Sequence, residues 1–580
     1  MNKIRIPAVI TFAGSVLFSL FSINFSADIS LLSFPVSAAG SCLLFYFLLY
    51  KTLFQLKYEF VPAAVKSLQY IPFINLASFV IRRAGKNGTP YWYDLVTVLL
   101  WCIVFVASLA ALYYLNEKRI FTVVPEWKKY SEKKSSRMIV HKSLPAEILD
   151  WADALVQAVF MVLLIQIFVL QLYVIPSESM VPSFLIGDRV VVLKTPSGPK
   201  FPLSEVGFPC VKKYRRGDVV VFRNPHYSMD RKSEVRTVIS QIVYMLTFTT
   251  VNLNVDEHGE PKADPLVKRI CGEPGEQLLM QDGVLYARTS KSDEFLPVDF
   301  DSKFACWNLS PVAKKVNRNG AVNKVRDVPL SQENYDLMLE VEKERRELDL
   351  TSAGYECWSV SKSFLSLFNV SGNYKGASSV LSLNPYNLFA DYYENTRKLL
   401  SGYDSYKWFD AFMTDWKGKY AQIHEGDLYA QANFKLNVML KLSAGHLFLR
   451  TAELISKGYS KEQISEDEKI NQYLDKAQKL YFYVMILDQR NMPVFPASLE
   501  DGTPQYIPEG SYFMMGDNRF NSLDMRHSYE SMLKALAPQD LYSIQYYSNI
   551  DPQFVSQKKI LGSAAYRFWP LARNGLVRTK

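Results

Sequence analysis

Apolar positions are spread unevenly along the chain. Ile6 to Phe25, Ile29 to Tyr50, Leu95 to Leu115 and Ala154 to Ile175 are runs almost free of charge. Each is long enough to cross a hydrocarbon core of about 30 Å as a helix. The third is flanked by Tyr91, Trp92, Tyr93, Tyr113 and Tyr114, the pattern of an interfacial aromatic belt. Soluble core helices rarely go so long without a charge, and a second apolar run follows the first at once, which argues against a cleaved leader. Residues 1–175 are therefore expected to form a membrane anchor of about four transmembrane helices. From Pro176 the pattern changes. Arg189 to Lys194 and Asp218 to Phe222 are short Val-rich runs, each introduced by a Gly-containing turn, and they predict strands. Farther on, Gln332 to Leu350 is charged and amphipathic, and Tyr429 to Lys457 spaces its apolar residues at helical intervals before Gly458. Ser460-Lys-Glu-Gln463 reads as a capping box opening another helix. Thr237 to Leu253 is apolar enough to be a buried hairpin or a surface dipping into a bilayer.

Charge orients the anchor. Lys118, Arg119, Lys128, Lys129, Lys133, Lys134, Arg137 and Lys142 fall in the loop 116–150 before the last run. The positive-inside rule makes that loop cytoplasmic, so the last helix exits and everything after Pro176 lies outside. Lys3 and Arg5 hold the N-terminus inside as well, which requires an even number of crossings before the loop. Three runs are clear. Phe60 to Ile81, charged only at Lys66, is a candidate fourth, but it would leave Arg82, Arg83 and Lys86 outside. Either the N-terminus or that segment must give way, and both readings stay open here.

Composition removes other classes. A net charge of +9 over 580 residues is mild, so no nucleic-acid partner is expected. Apolar residues make up 49% of the chain, which excludes wholesale disorder. Six cysteines are too few for a disulfide scaffold; Cys210, Cys271, Cys306 and Cys357 follow the last run, but spacing gives no connectivity. No Cys/His spacing fits a zinc site and no glycine-rich phosphate loop occurs, so no metal or cofactor is expected.

Three segments carry chemistry. After the last apolar run comes Pro176-Ser-Glu-Ser-Met-Val-Pro182, which its prolines should keep extended. Ser177 and Ser179 are two apart, so on an extended backbone their hydroxyls face one side, as a nucleophile and an oxyanion donor require. Val267-Lys-Arg-Ile270 is strand-like, allowing Lys268 to point inward while Arg269 is solvated. Gly516-Asp517-Asn518 reads as a tight turn, and Asp524 and Arg526 are spaced to pair. A serine needs a base to attack an amide carbonyl. None of the six histidines lies in the serine or lysine segments; only His527 adjoins the third, so a histidine triad also stays open. A lysine base must be neutral near pH 7, which requires its pKa to fall by roughly 3 units, about 4 kcal/mol, in an apolar setting.

Taken together, these segments resemble the bacterial type I signal peptidases (leader peptidases). The likeness rests on four ordered motifs: residues 176–182, Arg215-Arg-Gly-Asp-Val-Val-Val-Phe222, Val267-Lys-Arg-Ile-Cys-Gly-Glu-Pro-Gly275, and Gly516-Asp-Asn-Arg519. Arg567-Phe-Trp-Pro570 is similar to the family's C-terminal end. The resemblance implies a mainly β catalytic domain after the membrane helices, with Ser179 as nucleophile and Lys268 as general base. It implies that Ser177 supports the oxyanion hole, that Ser522 orients the lysine amine, and that Asp524, Arg526, Gly516 and Asp517 brace the site. It further implies a multi-pass protein of the bacterial inner membrane with its catalytic domain on the periplasmic side, acting on signal-peptide-bearing preproteins at the bilayer. Small residues are expected at the first and third positions before the cut. Glu178, Phe520 and Met525 depart from the family pattern, which usually has Gly or Asp, Asp, and Ser there.

The domain reading follows: residues 1–175 the anchor, 176–286 and 507–580 two parts of a β domain, and 287–506 a partly helical insertion. The insertion is either a regulatory or partner-binding module or a lid without chemistry. Two rivals are kept, a soluble Ser/Lys peptidase of the self-cleaving repressor type and a catalytically silent membrane scaffold whose insertion docks a partner.

Overall fold

The computed structural model describes residues 2–24, 28–85, 88–128, 144–227, 231–247, 251, 253, 255, 262–317, 322–370 and 381–579. Much of the basic loop, from Lys129 through Lys142, lies outside the described residues. Among those described, five helices are long and apolar enough to cross a membrane: α1 (Asn2–Leu20), α2 (Ile29–Phe54), α3 (Tyr58–Arg83), α4 (Tyr91–Leu115) and α5, which is helical over Leu144–Phe168. The expected count was about four; Phe60 to Ile81 is the additional helix. The apolar run ending at Ile175 is not helical throughout. Its last residues form strand β1 (Leu170–Val174), because they pair antiparallel with β2 (Arg189–Leu193), so the sheet begins inside the predicted anchor.

Helices α1 to α4 alternate in direction, and their buried clusters form two layers. One layer joins Ile4 of α1, Leu53 of α2, Val61 of α3 and Leu115 of α4 with Trp127 beyond α4. The other joins Phe18, Phe79 and Trp101, from the opposite ends of α1, α3 and α4, with Leu164 of α5. Small residues allow close approach: Ser15 Oγ lies 2.7 Å from Ser41 Oγ, and Ser78 Oγ donates to the Ser33 carbonyl at 2.7 Å.

The sheet is antiparallel and eight-stranded, with β3 (Val219–Phe222), β4 (Leu266–Gly272), β9 (Ser511–Met515), β12 (Val555–Ser556), β13 (Ile560–Trp569) and β14 (Gly575–Leu576). Its order is β1-β2-β13-β3-β4-β9-β12, with β14 beside β13. The Val-rich β3 is buried along its whole length, as β-branched residues of a central strand should be. A second sheet of four strands, ordered β7-β6-β5-β8, contains β5 (Glu276–Gln281), β6 (Val284–Thr289), β7 (Ser292–Pro297) and β8 (Met492–Phe495). Strands β7 and β8 therefore lie within the expected insertion yet belong to the sheet; helices occupy the interval between them.

Those helices include α7 (Gln332–Glu347), α8 (Leu350–Val370), α9 (Leu428–Ser456) and α10 (Glu468–Met485), and the capping box at Ser460 is formed. Their core also takes in Leu536, Ala537, Ile544 and Tyr546 from the ends of the hairpin β10 (His527–Ala535) and β11 (Gln545–Ile550) and the turn between them. Buried ion pairs tie the two bodies together: Lys441 to Asp540 and Arg345 to Asp282. Of the segment Thr237 to Leu253, the part through Leu246 belongs to helix α6 (Arg231–Leu246) and is not a hairpin; residues 248–250 and 252 lie outside the described residues. No Gly, Pro or Asn interrupts the helix to make a turn, and Thr237 and Ser240 are buried one helical step apart. Among the described residues the cysteines are all free, so the four after the anchor are not paired.

Candidate active site

The segment Ile175 to Asp188 bridges β1 and β2. Its base is closed by Ile175 N–H donating to Asp188 O at 2.9 Å and Gly187 N–H to Ile175 O at 2.8 Å. Within it, Val181 N–H reaches Glu178 O at 3.0 Å and Phe184 N–H reaches Met180 O at 2.9 Å. The serines thus sit on a turn, not on the extended backbone expected, yet Ser177 Oγ and Ser179 Oγ are 3.4 Å apart. Two outside groups hold the turn. The Glu178 carboxylate, only 5% exposed, accepts the backbone N–H groups of Arg326 and Asp327. Asn518 donates from its backbone N–H to Ser179 O at 3.1 Å and from Nδ2 to Glu178 O at 3.1 Å.

Lys268 comes from β4, opposite Val220 of β3, so it shares a face with Val220 and Ile270. These belong to a buried cluster with Met514 and Met525. Lys268 is 3% exposed, and its Nζ donates to Ser179 Oγ at 2.6 Å. Burial lowers the Lys268 pKa from 10.5 to about 8; the Asp524 carboxylate opposes that fall and Arg526 assists it. The fall is in the direction a lysine base requires.

Arg269 is not solvated. It is buried, donates from Nε and Nη2 to Asp517 at 2.8 and 2.7 Å, and stacks 3.8 Å over the Phe304 ring. Alternation put it on the opposite face from Lys268 as expected, but that face is covered too. Asp524 and Arg526 are fully buried and doubly bonded at 2.9 and 3.1 Å, and Gly516 N–H donates to Asp524 Oδ2 at 2.8 Å. Burial would raise the Asp524 pKa, but the Arg526 guanidinium holds it well below the usual carboxylate range. A Cβ at Gly516 would run into Ser179 O and the Ser522 side chain, so only glycine fits between them. Ser522 Oγ is buried and has no hydrogen-bond partner among the described residues, so it is near the site but not bonded to Lys268. Among the described residues His527 bonds through Nδ1 to Asn549 Oδ1 at 3.2 Å, and burial lowers its pKa to about 4.

Several contributors escaped the sequence reading. Glu178 registered only as a departure, and its partners 326–327 lie about 150 residues away. Arg519 pairs with Asp301 of the insertion at 2.6 Å. Phe520 packs edge-on against Trp307 with centroids 5.3 Å apart, which explains an aromatic where a carboxylate was expected. No local pattern announces such long-range pairs.

The model of the family described as signal peptidase, peptidase S26, matches residues 148–335 and 456–569. The residues between, 336–455, hold most of the helical insertion. Signal peptidase I of Buchnera aphidicola subsp. Schizaphis graminum is 38% identical over 71 residues, 12% of this chain and 23% of that protein. Signal peptidase I of Buchnera aphidicola subsp. Baizongia pistaciae is 40% identical over 65 residues, 11% of this chain and 21% of that protein. Signal peptidase I T of Bacillus subtilis is 27% identical over 146 residues, 25% of this chain and 51% of that protein. The chain thus spans between about a fifth and a half of the length of these relatives.

Proposed function

The chain belongs to the signal peptidase family, peptidase S26, and from that premise we propose that it is a membrane-bound serine endopeptidase with a signal-peptidase-like fold that cuts signal peptides from exported preproteins. The observation that carries this reading is the 2.6 Å contact between Lys268 Nζ and Ser179 Oγ in a buried, apolar setting. In its neutral form Lys268 accepts the Ser179 hydroxyl proton as Oγ attacks the scissile carbonyl. Ser177 Oγ and the Ser179 N–H hold the developing oxyanion. The Lys268 ammonium then returns the proton to the leaving amine, leaving an acyl-enzyme on Ser179. Water, deprotonated by the same amine, attacks the ester and frees the enzyme. Gly516, Asp517, Asp524 and Arg526 keep the turn and strand β4 in register. Ser522 lies buried beside Gly516, with its hydroxyl making no hydrogen bond among the described residues. The preference for small residues before the cut follows from the family likeness.

Topology is part of the proposal. Five crossings of a bacterial cytoplasmic membrane put the N-terminus and the basic loop inside and the Ser179 domain outside. The two-layer packing supports this, since Ile4 and Trp127 share one layer. The outward-facing Arg82 that made the fifth crossing unfavourable in the sequence is paired with Asp94 at 2.8 Å. A catalytically silent scaffold is not favoured, because burying an amine against a hydroxyl carries a desolvation penalty that a scaffold has no use for. The test is cleavage of a preprotein by the full-length chain in detergent. Wild type should release a mature fragment, and Ser179→Ala and Lys268→Ala should not. An untouched preprotein, or cutting by Ser179→Ala at the wild-type rate, refutes the reading.

A further inference from the structure

Helix α5, which leads into the β domain, is buried along only a small part of its length and meets α3 at one side, where Asp153 pairs with Lys66 at 3.2 Å and Phe160 stacks on Phe73 at 4.6 Å. By itself it would leave the β domain free to tilt. A second connection exists. After β2 the chain returns to the end of α5, where Lys194 N–H donates to Val169 O at 2.9 Å, and then forms a narrow hairpin over residues 199–208. Phe201 N–H donates to Val206 O at 2.9 Å, and both side chains are 2% exposed, buried among α3, α4 and α5. The Phe201 ring sits edge-on to Trp101 at 5.3 Å and 4.9 Å from Phe168.

Polar groups fix the tip. Asp94, buried at the start of α4, pairs with Arg82 through one oxygen and accepts the Ser204 hydroxyl at 2.8 Å through the other. Arg83 Nε donates to Leu203 O at 2.6 Å. Leu203 holds a left-handed backbone, φ 59°, which an apolar side chain adopts only where its surroundings enforce it. A charge pair at the end of two apolar helices marks a function more often than a stabilising contact. Here both carboxylate oxygens are used, and one goes to the β domain.

We propose that α1 to α4 are a docking platform that sets the height and tilt of the Ser179 site above the bilayer through the 199–208 hairpin. The five residues of β1 rise about 3.3 Å each, so the strand that carries the chain from α5 toward the serine turn is about 17 Å long. A docked domain holds the site at one height and favours chains whose scissile bond emerges there from a membrane-inserted helix. A soluble peptide can reach the site at any tilt and gains nothing from the platform. The inference rests on reading α1 to α5 as membrane-spanning and on the proposed peptidase activity.

The test compares two substrates of the full-length chain in phospholipid vesicles, a soluble peptide spanning a cleavage site and a membrane-inserted preprotein. Phe201→Ala with Ser204→Ala should leave peptide cleavage near wild type and slow preprotein cleavage about tenfold or more, as misplacement of a reacting bond does. Equal losses on both substrates, or none on either, overturn the platform. A wild type that cuts neither substrate refutes the peptidase reading and leaves the platform to a second measurement. For that, Phe201→p-benzoylphenylalanine is photolysed in vesicles of the same lipid. Adducts to Tyr58–Arg83 or Tyr91–Leu115 support docking, and adducts to lipid alone refute it.

Discussion

Replacing Lys268 by methionine should stabilise the protein while abolishing its activity. The amine titrates at about 8 instead of 10.5 because it is buried, and at about 1.4 kcal/mol per pH unit its ammonium form costs the folded state about 3 kcal/mol. Methionine fills nearly the same volume without a charge. It gives up the bond to Ser179, worth about 1 kcal/mol, so Lys268→Met should gain about 2 kcal/mol at pH 7. The sign of the pH dependence follows from linkage. Below pH 8 folded and unfolded chains both hold the proton, and wild type carries the full penalty. Between about 8 and 10.5 the folded chain releases a proton that the unfolded chain keeps, so wild-type stability rises with pH. The advantage of methionine should therefore shrink across that window and reverse above it, leaving wild type ahead by about 1 kcal/mol, the bond to Ser179. Urea unfolding of both full-length chains in detergent, at pH 7, 9 and 10.5, measures this difference. A Lys268→Met chain less stable than wild type at pH 7, or a gap that stays constant to pH 10.5, refutes the argument.

Two further substitutions probe the frame of the site. Glu178→Ala leaves the N–H groups of Arg326 and Asp327 without their carboxylate, so stability should fall by about 1–3 kcal/mol. Steady-state kinetics should show a lower kcat at nearly constant KM, with most of the loss recovered in Glu178→Gln; a change in KM alone contradicts a positioning role. Arg526→Met strips the buried Asp524 carboxylate of its counter-charge and should cost about 3–5 kcal/mol, read from the denaturant midpoint. With Arg526 present, the depressed Asp524 pKa contributes stability above pH 3.8 that is lost only at lower pH. In Arg526→Met that acid limb should move up toward neutral pH.

The legible parts of the fold were those with a local cause. β2 and β3 are runs of β-branched residues, α9 shows helical spacing, and the cap at Ser460 is written in four consecutive residues. Tertiary pairing overrode such signals elsewhere: Leu170 to Val174 look like the end of a membrane helix but pair with β2. Alternation correctly separated Lys268 from Arg269 but carried no information on what covers the second face. The nearness of Ser179 and Lys268, 89 positions apart, was legible only through the family likeness of their motifs. Ser522, whose role came from that likeness alone, does not make the bond expected of it. Arg82 counted against a fifth crossing because its partner Asp94 and the hairpin that seals the pair are invisible to a hydropathy argument.

The central claim is that the neutral amine of Lys268 activates Ser179 for acyl transfer. It is tested most directly by mixing the full-length chain with a slowly hydrolysed peptide ester, quenching in acid and mapping the acyl group by mass spectrometry. An adduct on Ser179, forming at half its maximal rate near the Lys268 pKa of about 8 and absent from Lys268→Ala, is the predicted result. An adduct on another residue, or one that forms on Ser179 equally fast without Lys268, contradicts it.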